Sequence, residues 1–158
     1  MKKQIIFIAA FFFFIGCLNN GNGKLENEIA TSIKKNCKSE NCQVDISQLT
    51  TFRWSKLYVF RETASLEVVE QILNQKYPYY VDVARRLVFT DNTNKVIYHE
   101  DVFPNVEGVK NQEVIFLMPD TITHRIFANP IFTVTKQKIV DGEYYVLNQL
   151  WTSEKSKK

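Results

Sequence analysis

The chain has 158 residues, with 20 Lys or Arg against 17 Asp or Glu and a formal net charge of +3. Its first 16 residues hold two lysines and no acid, so the remaining 142 carry only +1, which removes the bulk electrostatic case for binding nucleic acid. Those 142 residues suffice for one domain with a sizeable core, and their seven Phe, seven Tyr and two Trp argue against a disordered stalk.

Met1-Lys2-Lys3 is a positive start, and Ile5 to Ile15 is an unbroken apolar run of 11 residues. That run suits a secretory signal and is too short to cross a bilayer as a helix. Phe14-Ile15-Gly16-Cys17 follows and resembles the cleavage motif of bacterial lipoprotein signal peptides. The resemblance implies that residues 1–16 are removed and that lipid is joined to the thiol of Cys17. Plain secretion and a retained N-terminal anchor are the competing readings. Several acyl chains on one cysteine would make the attachment effectively permanent, whereas one chain binds a membrane only marginally. The resemblance places the protein in the cell envelope. In a Gram-negative host, Leu18 in place of Asp after the cysteine points to the outer membrane, facing the periplasm.

Residues 17–24 include Leu18-Asn-Asn-Gly-Asn-Gly23, a short flexible tether by composition. Leu25, Ile29 and Ile33 recur at four-residue steps and predict an amphipathic helix over 25–36. Cys37 and Cys42 come next, and an exported protein meets an oxidising compartment, so a local disulfide between them is expected. A redox pair is the weaker reading, because such pairs are normally two residues apart, and two free thiols are the third. His99 and His124 form no ligand-spaced cluster with these cysteines, so no metal or other cofactor is expected.

Residues 50–61 alternate as a strand, with Phe52, Trp54, Lys56, Tyr58 and Phe60 on one face. Ser65 can cap a helix whose stripe is Leu66, Val69, Ile72 and Leu73, running to about Lys76 before Tyr77-Pro78-Tyr79-Tyr80 breaks it. The remainder reads as strands. Residues 87–90 and 96–100 flank a hairpin loop at 91–95. Val114 to Met118 is apolar on both faces and reads as a mid-sheet strand. Two further strands, 131–140 and 144–151, meet at the Asp141-Gly142 turn. The tail, 153–158, is expected to fray. The fold class that follows is α+β. It comprises a single domain over 25–152, with a five- or six-stranded, mostly antiparallel sheet, the Ser65 helix on one face and a short N-terminal helix.

His99-Glu100-Asp101 is the one acidic and imidazole cluster. Successive strand residues alternate faces, so His99 and Asp101 share a side and Glu100 takes the other. No nucleophile elbow accompanies them, and a solvated strand end is the expected setting. The second candidate is a partner-binding patch of Trp54 and Lys56 on one strand with Arg85 and Arg86 just before the next, since aromatic and Arg side chains anchor interfaces. The competing reading makes Trp54 and Tyr58 core, with Lys56 at the sheet edge.

The Cys37-x4-Cys42 pair, the Thr51-Phe52-x-Trp54-x-Lys56-x-Tyr58-x-Phe60 segment, a short helix, Arg86-Leu-Val-Phe89 and Val96-Ile-Tyr98-x-Glu100 together are similar to a pattern in small, uncharacterised bacterial lipoproteins. The likeness covers roughly residues 37–101. Those lipoproteins often have Asp after the Trp and Gly at the helix end, where this chain has Ser55 and Asn74 or Gln75. The resemblance implies the lipoprotein class and assigns no activity.

The sequence thus predicts a non-enzymatic, membrane-tethered domain that binds an unidentified protein partner, most concretely an immunity or inhibitor protein against a delivered toxin. A structural or assembly role in the envelope is the alternative, and an enzyme is the third.

Overall fold

The computed structural model describes residues 23–38, 42–103, 114–139 and 142–149. Cys17, the signal segment, most of the tether and the tail 153–158 lie outside these residues. Two helices are present among them, α1 (Lys24–Asn36) and α2 (Leu66–Leu73). Eight strands are present, β1 (Cys42–Asp45), β2 (Lys56–Phe60), β3 (Arg85–Thr90), β4 (Val96–Val102), β5 (Val114–Phe116), β6 (His124–Phe127), β7 (Ile131–Ile139) and β8 (Gly142–Asn148). The α+β class holds, but one sheet of five or six strands does not form. Two four-stranded sheets do, in the orders β1-β7-β8-β5 and β4-β3-β2-β6. All pairings are antiparallel except β5 with β8.

The division into two sheets follows from how many faces need cover. Leu57 and Val59 of β2, Leu87 and Phe89 of β3 and Phe127 of β6 point to one side of the second sheet. There they share a buried cluster with Ile29 and Ile33 of α1 and with Phe132, Val134, Tyr145 and Leu147 of the first sheet. Tyr58, Phe60 and Val88 point to the other side and meet Val69 and Leu73 of α2. The second sheet is therefore apolar on both faces, and α2 covers one of them as its stripe predicts.

Local signals act as expected at α2. The Ser65 hydroxyl oxygen accepts from the Val68 N–H, and Glu67 lies in the first turn. The helix ends earlier than Lys76, because Asn74 takes a left-handed conformation at φ 53 and stops it. A glycine fits this position best, and Asn is the side chain that tolerates it next best. The Cys37–Cys42 disulfide also forms, with a Cα–Cα distance of 5.3 Å, and joins the end of α1 to the start of β1.

Three expected elements change. The 50–61 strand shortens to Lys56–Phe60, and residues 51–55 bend. The bend moves Phe52 and Trp54 to the face opposite Tyr58 and Phe60, where both rings meet Phe89 edge-on. Among the described residues β5 pairs only with β8, at the edge of the sheet and not in its centre; Val114 and Phe116 are buried in the core that α1 shares. Residues 124–127, where the sequence predicts no strand, form β6 beside β2. The β7–β8 hairpin is present, with Ile139 opposite Gly142, although Asp141 lies outside the described residues.

Candidate functional site

The two adjacent arginines of β3 are inside the protein, not on a loop before the strand, and alternation sends them to opposite faces. Arg85 points toward α1. Its guanidinium pairs with the Glu26 carboxylate and donates to the Val114 carbonyl at 3.0 Å. Glu100, opposite Leu87 on β4, faces the same side. Its carboxylate accepts from the N–H groups of Leu25 at 2.8 Å and Glu26 at 3.2 Å, and from the Tyr98 hydroxyl at 2.6 Å. The first turn of α1 has no side-chain cap of its own, because Gly23 stands at its N-cap. Glu100 supplies the missing acceptor at the positive end of the helix, and burial raises its carboxyl above the usual range. Burial pushes Glu26 up to about 7 and outweighs the pull of Arg85.

Arg86 points the other way, and this side holds the most concentrated group of polar side chains. The strand register sets His124, Phe60, Arg86 and Asp101 in one row across the second sheet, with Val88 and His99 in the next. Arg86 Nε lies 3.1 Å from Asp101 Oδ1, and its guanidinium carbon stands 4.0 Å from the centroid of the Tyr80 ring. His99 stacks on Tyr79 at 4.1 Å, and Tyr77 meets both rings edge-on. The connection from α2 to β3 thus lays three tyrosines over a buried ion pair and a buried imidazole. Two bonds hold it down. The Tyr80 hydroxyl donates to the Ala64 carbonyl at 3.0 Å, and the Tyr77 N–H donates to Glu70 at 3.0 Å.

The electrostatics of this cluster follow from burial. His99 titrates lower than usual, because it is desolvated and lies near the Arg86 cation. Asp101 titrates higher, since burial outweighs Arg86. Tyr77 is also pushed up, first by burial and then by Asp101. Near neutral pH the group therefore holds a neutral imidazole and a protonated phenol beside the Arg86–Asp101 pair.

The expected solvated strand end at His99-Glu100-Asp101 is corrected: His99 and Glu100 are buried, and the alternation of faces holds. The four residues proposed as one patch are not assembled. Trp54 is half-buried against Phe89 and Lys56 donates to the Asn94 side chain at 3.0 Å, while both arginines are internal. The sequence reading passed over Tyr77, Tyr79 and Tyr80 as a helix break. The available signal was aromatic density just ahead of two arginines, a composition that favours cation–π contact.

The outer face of α1 and the turn after β1 form an open groove of about 780 Å³, lined by Lys24, Glu28, Ser32, Lys35, Gln48 and Leu49 among others. Among the described residues, no three His, Cys, Asp or Glu side chains gather as a metal site, and no helix is long and apolar enough to cross a membrane. Comparison with known protein families, curated proteins and solved structures finds no match to this chain.

Proposed function

We propose that this chain is a lipid-anchored protein of the cell envelope whose domain acts by binding another protein, without catalysis. Its most concrete form is an immunity or inhibitor protein against a delivered toxin. The observation that carries the binding reading is the open, polar groove on α1, which mixes cationic, anionic and hydroxyl side chains on a helix face. A shallow surface of this kind suits a protein partner better than an enclosed small molecule. The buried ionisable groups serve the fold. Glu26 with Arg85, Arg86 with Asp101, and Glu100 with the start of α1 each join one element to another. The Cys37–Cys42 bond fits an oxidising compartment, in keeping with the signal-like N-terminus.

Affinity capture of the tagged, processed chain from envelope extracts of its host, followed by mass spectrometry, tests this. Recovery of one secreted effector or hydrolase, inhibited by the purified protein and lost with Lys35→Glu, is the expected result. Envelope-assembly components would move the assignment to a structural role. Capture of no protein above the untagged control contradicts a binding function.

A further inference from the structure

We propose that the end of the molecule where β3 begins and β4 ends rests on the bilayer that holds the acylated Cys17. This inference rests on the lipid-anchor reading and adds a surface to it. Three apolar side chains stand exposed there: Val81 at 43%, Val83 at 65% and Phe103 at 42%. Arg85 pairs with Val102, so the chain enters β3 beside the point where it leaves β4 at Phe103. The half-buried Tyr79 and Tyr80 belong to the same connection. Aliphatic and aromatic side chains with nearby phenols match the chemistry of a membrane interface.

The entry of the chain fixes which end faces the lipid. The first turn of α1 is bonded to Glu100 through the Leu25 and Glu26 N–H groups, and Glu26 pairs with Arg85. The helix therefore starts beside the first residue of β3 and the last residues of β4. Six peptide links join Cys17 to Gly23, and at about 3.5 Å per link they reach no farther than about 20 Å. An acylated Cys17 holds this end of the domain within that distance of the membrane. Val83 also has φ 55, a conformation that a β-branched residue rarely adopts, and it carries this strain with its side chain in the open. Exposed Asp82 lies between the two valines, so the contact is shallow and keeps that carboxylate at the headgroups.

The test uses the full acylated chain in vesicles of phosphatidylethanolamine and phosphatidylglycerol. Phe103→Trp serves as the reporter, and Asn92→Trp in the hairpin loop at the opposite end of β3 and β4 as the control; the native Trp54 and Trp151 contribute equally to both. Lipids brominated near the headgroup should quench the Phe103→Trp signal several-fold more than the control. Equal quenching overturns the inference. In the Phe103→Trp background, Val83→Asn relieves the backbone and removes the aliphatic group. It should keep or raise the melting temperature while reducing the quenching, and undiminished quenching also overturns the inference. The intact mass separates the two readings. A chain without acyl groups on Cys17 defeats the anchor and this surface together, whereas an acylated chain with equal quenching defeats the surface alone.

Discussion

Glu100 caps a helix through a Leu25 N–H that lies 75 residues earlier in the chain, and three donors meet its carboxylate. A buried donor left without a partner costs more than a typical bond gains. Glu100→Ala should therefore lower stability by roughly 3 kcal/mol, read as a fall in the denaturant midpoint. A change within error would mean that α1 does not depend on this cap. Glu26 gives a pH signature. Its folded value is about 7 against an ordinary 4.5, so the folded protein holds this proton more tightly. Its stabilisation is complete below pH 4.5 and is lost as pH rises through 7. His99 acts in the opposite sense, because its folded value lies below 6.5; its contribution is present above that pH and is lost as pH falls below it. The informative quantity is thus the difference between the native protein and Glu26→Gln, which should change between pH 4.5 and 7. A flat difference in urea titrations across that window would show that Glu26 ionises normally.

At the scale of elements, what was legible in the sequence was local, and what was not depended on distant pairing. The Ser65 cap, the Val69 and Leu73 stripe and the 91–95 hairpin loop are set by neighbours within a few residues, and the structure keeps them. β1, with four residues, is a strand because Phe132 and Val134 stand across from Val44 and Cys42. β6 is a strand because Tyr58 and Leu57 stand across from Ile126 and Phe127. No local pattern announces either pairing. The alternation from Phe52 to Phe60 misleads because the bend before Lys56 shifts its phase by one residue, which suffices to move a side chain to the other face. The candidate cluster was half visible: His99 and Asp101 were marked, but the tyrosines that cover them came from the α2–β3 connection. The Cys37–Cys42 bond closes a sequence separation of 5 residues. In the chain-entropy model a loop that short contributes about 2 kcal/mol. Cys37→Ser should reduce the melting temperature accordingly, and an unchanged value would mean that the bridge does not stabilise the fold.

For the whole molecule, α1 starts beside the β3 and β4 ends, a disulfide ties α1 to the first sheet, and internal ion pairs join helix to strand and strand to strand. These features suit a small domain that works outside the cytoplasm and presents its surface to a partner. The central claim is that the chain is held in the envelope through Cys17, because the partner-binding and membrane-facing proposals both depend on where the domain is placed. Growth of the host with labelled palmitate tests it most directly, with the native chain compared against Cys17→Ala. Label on the native protein and none on the variant is the predicted result. A native chain that takes up no label, or a variant that still does, would contradict the account.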